Sequence, residues 1–212
     1  IVVCLSMKIV ARPLQRDFHQ LSQKTDSNQD NFLPPAAVIL CVRGADPTLK
    51  FCLDGLLNQA YPDLEIHIVL DSDTDPAAEV VRRAISLDAD SAVKLHVLHS
   101  PGSQRGLKVS AILQALKTIP DRFRVIAFLD ADTEPHPNWL RDLVRPLHAA
   151  SVGATSGVRW FRPETRNPGS LIRAKWNLYA VALMRYFNIL WGGSFAIRRD
   201  ILEQSQLLER WS

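Results

Sequence analysis

The sequence predicts an α/β domain with a mostly parallel central sheet flanked by helices, on three observations. From Ala36 onward, apolar runs of strand length alternate with helix-period segments. The strand candidates are nearly unbroken runs of Val, Ile, Leu and Ala, as in strands covered on both faces. Asp-Pro pairs stand where helices would begin, with the carboxylate as cap and proline at the first helical position. Alternation of this kind builds a parallel sheet between helical layers.

Taken in order, "AAVILCV" (36–42) is the first strand and "PTLKFCLDGLLNQ" (47–59) the first helix, capped by Asp46. "LEIHIVL" (64–70) and "PAAEVVRRAIS" (76–86) follow as the second strand and a second helix, capped by Asp75. "AVKLHVL" (92–98) and "RVIAFL" (124–129) are the third and fourth strands. Between them "LKVSAILQALK" (107–117) carries Val109, Ile112, Leu113 and Leu116 at helical spacing. Further on, "SLIRAKWNLYAVALMRYFN" (170–188) reads as an amphipathic helix, either packed against the domain or lying at a membrane interface. "RRDILE" (198–203) reads as a helix start with Asp200 as cap.

The domain is expected over residues 36–212, after an N-terminal segment and linker over 1–35 that ends in "QLSQKTDSNQDNFLPP". "IVVCLSMKIVA" at the start is interrupted by Lys8 and lacks the features of a signal peptide. It reads either as the remnant of a membrane helix or as a surface helix. No apolar run reaches the 18 residues of a spanning segment.

At 212 residues, with 47% hydrophobic and 22% charged, the chain has the composition of a globular domain and not of a disordered one. Cys4, Cys41 and Cys52 match no zinc spacing and sit in or beside apolar runs, so they read as buried thiols. Charge is uneven: residues 1–137 carry 14 Lys and Arg against 17 Asp and Glu, whereas residues 138–212 carry 11 against 5. Trp139, Trp160, Trp176, Trp191 and Trp211 all fall in that basic part. Trp with Arg suits sugar stacking, phosphate or an anionic membrane, and equally a basic surface over a Trp-rich core.

Sites in open α/β sheets lie beyond the carboxyl ends of the strands. That rule selects Arg43-Gly44, "DSDTD" (71–75) and "DADTEP" (130–135). Asp130 and Asp132 would leave the same face if the strand continued past Leu129, and a hard divalent ion would relieve their repulsion. The alternative is an Asx turn at Asp132 with Asp130 solvated. A calcium loop at Asp71 fails because Pro76 and Arg82 stand where Gly and Glu are needed. Lys108, in the first turn of its helix, opposes the helix dipole; a phosphate would explain it, and so would plain solvation.

Together, "PPAAVILCVRGADPTLKFCLDGLLNQAYPDLEIHIVLDSDTDPAAEVV", "GLKVSAILQAL", "VIAFLDADTEPHPNWLRDLV", "VGATSGVRW" and "GGSFAIRRDIL" resemble the family 2 inverting glycosyltransferases of the GT-A fold. The resemblance covers residues 34–203 and is strongest to the ceramide glucosyltransferase-like branch. It implies transfer of a sugar, glucose in the nearest branch, from a UDP-sugar to a lipid acceptor such as ceramide. Val42 and Arg43 would border the nucleotide, Asp71 would contact the uracil, Lys108 would lie near the nucleotide and Asp130 near the ribose and diphosphate. Asp132 would be the main protein ligand of Mg²⁺ or Mn²⁺. Arg159, Trp160, Trp191, Gly192 and Gly193 would flank the sugar and acceptor.

The same resemblance implies a membrane-associated enzyme whose site faces the cytoplasm, with no nucleic-acid partner. The family's catalytic base, an acidic pair, finds no match before the chain ends, so it is expected beyond Ser212 and the GT-A domain is expected to be incomplete at its C-terminus. Other readings are a non-catalytic nucleotide-binding module, a polysaccharide synthase of the same family and, less well matched, a nucleotidyltransferase, for which "VRGADP" is poor in Gly and basic residues.

Overall fold

Strand β1 (Ala36–Val42) lies at the centre of a six-stranded sheet of order β3-β2-β1-β4-β6-β5. The structure is a computed structural model and describes residues 32–86, 92–99, 105–158, 161, 165, 167–187 and 189–211. The expected N-terminal segment therefore lies almost wholly outside the described residues. Within them, β1 starts at the Ala36 that the sequence indicates.

Helix α1 (Leu49–Leu57) leads to β2 (Leu64–Leu70), α2 (Ala77–Ser86) to β3 (Val93–Val97), and α3 (Leu107–Leu116) to β4 (Val125–Asp130). All four strands are parallel, with Ala36 beside Leu64 and Val125. Parallel crossovers are right-handed, so the direction of each step along the sheet decides which face its helix covers. The first two steps run one way and put α1 and α2 on one face. The third runs back past β1 and puts α3 on the other.

The packing follows. Leu49, Leu53 and Leu56 of α1 and Val81 of α2 form one core with Val38, Leu40 and Leu129. Ala111, Ile112 and Ala115 of α3 form a second with Ala37, Ile39, Ile126 and Phe128. Successive residues of β1 thus serve opposite cores, which is why its sequence is an unbroken apolar run.

Beyond β4 come α4 (Trp139–Val144), a 3₁₀ turn (Arg145–His148), β5 (Ala154–Ser156), α5 (Pro168–Tyr186), β6 (Ser194–Arg198), α6 (Arg199–Gln204) and α7 (Leu207–Arg210). Strand β6 runs antiparallel to β4, pairing Ser194 with Leu129 and Arg198 with Val125, and β5 lines its outer edge. The chain divides into two compact units: Phe32–Ser156 with Gly192–Ser212 holds the sheet, while Gly157–Trp191 contains α5. In α5, Asn167 caps the start by accepting from the Ser170 N–H, and Pro168 takes the first helical position.

Two expected caps differ. Helix α1 begins at Leu49, two residues after Pro47, because Asp46 accepts from both the N–H and the hydroxyl of Thr48 and closes a turn ahead of the helix. Asp200 does not cap α6; it lies inside the first turn and pairs with Arg198 at 3.2 Å. Asp75 does accept from the Ala77 N–H as a cap should. Arg199 fastens the end of β6 by donating to the carbonyls of Ile119, Pro120 and Phe123.

His67 is buried on the α3 side of β2, its Nε2 2.8 Å from Glu65 and its Nδ1 3.0 Å from His96. Burial lowers the pKa of His67 against the upward pull of Glu65, and burial also lowers that of His96. A histidine whose folded pKa is depressed contributes stability that is complete above its unfolded pKa of about 6.5 and is lost as pH falls below it. The midpoint of urea unfolding is expected to drop on going from neutral pH to mildly acidic pH, and to drop less in His67→Gln. Equal pH dependence in the two proteins would contradict this assignment.

Candidate functional site

Where the strand order of a parallel sheet reverses, the loops on either side diverge and leave a crevice at the carboxyl ends. Here that point lies between β1 and β4, since the chain builds β2 and β3 to one side and returns to build β4 on the other. A cleft of about 500 Å³ opens there. Val42, Arg43, Asp71, Lys108, Asp130 and Asp132 all line it. These six are the residues to which the family resemblance assigns nucleotide and metal contacts.

Each reaches the cleft from its own element. Val42 ends β1, and its carbonyl accepts from the Asp71 N–H at the end of β2. Arg43 pairs with Asp71 at 3.4 Å, with the arginine largely exposed, so the pair is screened and free to exchange partners. Lys108, in the first turn of α3, pairs with Asp130. That contact accounts for a cation at the positive end of a helix, because the opposing carboxylate offsets the dipole.

Asp130 is the last residue of β4; its N–H donates to the Gly193 carbonyl at 2.8 Å and its own carbonyl accepts from Thr133. The chain thus turns directly after Asp130. The expectation that Asp130 and Asp132 share a strand face therefore does not hold, although the turn still delivers both to the cleft.

Residues 37–205 match the profile described as Glycosyl transferase family 2. The chain belongs to this family. It is 24% identical over 190 residues to the uncharacterized glycosyltransferase YibD of Escherichia coli, covering 81% of this chain and 50% of that one. Among solved structures it is similar to the mannosyltransferase PcManGT of Pyrobaculum calidifontis in complex with GDP-Man and Mn²⁺, with 25% identity and a TM-score of 0.64. That match covers 97% of this chain and 56% of the mannosyltransferase. Glucosyl-3-phosphoglycerate synthase of Mycobacterium tuberculosis, 19% identical with a TM-score of 0.52, covers 80% of this chain and 58% of its own and shares the fold. The chain spans about half the length of the relatives it matches. Its sheet is that of the GT-A nucleotide-diphospho-sugar transferases.

Two braces hold the loops of this family 2 domain, and only one left a trace in the sequence. Gly44, at φ +75°, donates its N–H to both oxygens of Asp75 at 2.9 and 3.1 Å. Asp75 therefore ties the loop after β1 to the start of α2, a contact that spacing alone does not reveal. The second brace is α1 against the segment after Asp132. A β-carbon on Gly55 would overlap the Pro135 carbonyl oxygen. Gln59 donates to the carbonyls of Gly55 and His136 and accepts from the Leu140 N–H, and the Ala60 N–H donates to Pro137. An isolated glycine inside a helix-period run was the available signal, since it weakens a helix unless something must come close.

The cleft also takes in Asp46, which the sequence marked only as a helix cap, and Leu98, Leu107 and Ala111, to which it assigned no site role. Hydrogen bonds from the Thr48 hydroxyl and N–H hold the Asp46 carboxyl below its usual range. Cys41 and Cys52 adjoin the site, and each thiol is pushed up to about 12, chiefly by burial. Both are free and stay protonated at neutral pH, so they offer neither thiolate ligand nor nucleophile. Cys4 lies outside the described residues.

The sugar and acceptor candidates divide. Gly193 is buried against Asp130, Gly192 is exposed beside it, Trp191 belongs to the other compact unit, and Arg159 and Trp160 lie outside the described residues. Trp139 is core, its indole N–H donating to the Ser194 hydroxyl.

The α1 brace steadies the segment after Asp132, so disturbing it loosens that segment. Gly55→Ala is expected to lower unfolding free energy by about 1–3 kcal/mol through overpacking. Gln59→Leu is expected to lose a similar amount, about 1–3 kcal/mol, by stranding its partners. Urea denaturation measures both, and unchanged midpoints would show that the segment is not braced here.

Proposed function

We propose that this chain binds a nucleoside-diphosphate sugar, a UDP-sugar by its resemblance, and presents it for transfer as the donor half of a glycosyltransferase. The observation that carries the reading is the convergence of Val42, Arg43, Asp71, Lys108, Asp130 and Asp132 on one cleft at the switch point of the sheet. In this reading Val42 and Arg43 border the nucleotide, Asp71 accepts from the base, Lys108 meets the phosphates, and Asp130 lies by the ribose and diphosphate.

Charge supports a divalent metal. Four carboxylates line the cleft, Asp46, Asp71, Asp130 and Asp132, against two cations, Arg43 and Lys108. A diphosphate entering so acidic a site needs added positive charge. Among the described residues no three His, Cys, Asp or Glu side chains cluster as a metal cage. That donor set suits Mg²⁺ or Mn²⁺, which take one or two carboxylates and complete their shell with phosphate and water. Asp132 would hold the ion with Asp130 beside it. Once bound, the metal supplies Lewis-acid stabilisation of the departing diphosphate.

Inverting transfer also needs a base for the acceptor hydroxyl. Asp200 and Glu203 do not qualify, because β6 runs antiparallel to β4 and carries them away from the cleft. Arg198 pairs with Val125, about 14 Å of strand from the end that faces Asp130. Neither carboxylate is therefore assigned as the base. On the resemblance, the acceptor is a lipid such as ceramide, the sugar is glucose, and the site faces the cytoplasm at a membrane. A second reading, a GDP-sugar donor, is favoured by the similarity to the mannosyltransferase solved with GDP-Man.

Calorimetric titration separates these readings. UDP is expected to bind in the presence of Mn²⁺ and to weaken at least about tenfold in Asp132→Ala. Absence of nucleotide binding, or binding indifferent to Asp132, would sink the assignment; tighter binding of GDP than UDP would select the second donor. Lys108→Ala is expected to weaken UDP more than uridine, and equal losses would remove Lys108 from the phosphates.

A further inference from the structure

One face of helix α5 is lined by exposed apolar side chains. Ile172, Trp176, Leu183 and Tyr186 are 69, 74, 55 and 79% exposed, and Phe187 at its end is 62% exposed. Steps of four, seven and three residues set them in one stripe along the helix, with half-buried Tyr179 completing the row. The opposite side is the buried one, with Asn177 and Val181 at 3 and 4%. At 3.6 residues per turn, Arg173 and Lys175 fall on either flank of the stripe. The Lys175 ammonium lies 5.9 Å from the Tyr179 ring, and the Arg173 guanidinium lies over Phe161.

Charge decides what fits this face. The helix carries Arg173, Lys175 and Arg185 and no Asp or Glu. A second copy packed along the stripe would bring like charges together with no carboxylate on the helix to pair them. An anionic surface is complementary. Trp and Tyr belong at the boundary between headgroups and acyl chains, where an apolar ring and a polar edge are both satisfied. Among the described residues no helix is long and apolar enough to cross a membrane, so α5 would lie on a bilayer and not through it.

We propose that the Ile172, Trp176, Leu183 and Tyr186 face of α5 docks on an anionic lipid bilayer, with Arg173 and Lys175 on the headgroups. This inference concerns a different compact unit from the nucleotide cleft and stands independently of the donor reading.

The test is co-sedimentation of the full chain with vesicles of equimolar phosphatidylglycerol and phosphatidylcholine, against phosphatidylcholine alone. Binding is expected only to the anionic vesicles, weakened at least about tenfold in the double variant Trp176→Glu, Leu183→Glu. Reversing Arg173 and Lys175 to Glu is expected to abolish the preference for anionic lipid. Circular dichroism matching the parent shows that the variants are folded, and UDP titration with Mn²⁺ reports on the other unit separately. Vesicle binding untouched by the double variant would overturn the proposal, as would equal binding to neutral lipid. A dimer in light scattering that Trp176→Glu dissolves, without vesicle binding, would assign the face to a second copy instead.

Discussion

Parallel pairing of β1 with β4, in the register that sets Cys41 beside Asp130, is the contact on which the rest of the molecule depends. Both strands are buried on both faces, so neither can shift by one residue without sending apolar side chains into the wrong core. The chain reaches β4 only after building outward through β2 and β3. Every loop that carries a charged cleft residue therefore points to the same end of the sheet, and the two innermost diverge where the strand order reverses.

The same pairing explains why the carboxylates can be where they are. Asp130 ends a strand whose preceding five residues are buried, yet it is only partly covered, and Lys108 of α3 sits against it. On the other face α1 comes close enough for its Cys52 thiol to donate to the Asp130 carbonyl and for Gly55 and Gln59 to grip the following turn. One helix from each layer thus meets the same short segment. Close packing resists displacement, and so it holds a turn that carries two carboxylates against their mutual repulsion.

Charge is divided unevenly within the protein. The cleft is lined by four carboxylates against two cations, whereas α5 is basic and apolar with no acid of its own. This is the structural form of the imbalance between residues 1–137 and 138–212. A single net charge of +3 for the chain conceals it.

The family resemblance added Val42 and Lys108 to the cleft; the sequence by itself determined the alternation of strands and helices, the bounds of β1 and β2, and the strand-end loops that carry Arg43, Asp71, Asp130 and Asp132. Those features rest on local patterns: burial on both faces writes a continuous apolar run, and a strand's carboxyl end is where polar residues resume. Tertiary structure alone decided the turn after Asp130, the Lys108 partner, and the tie from Asp75 to Gly44. It also decided that α1 starts after Asp46 and that Asp200 does not cap. Each of these depends on which groups, distant in sequence, arrive within hydrogen-bonding reach. A carboxylate before a helix looks the same in sequence whether it caps that helix, closes a preceding turn or reaches across to another loop, and only the packed sheet selects among them.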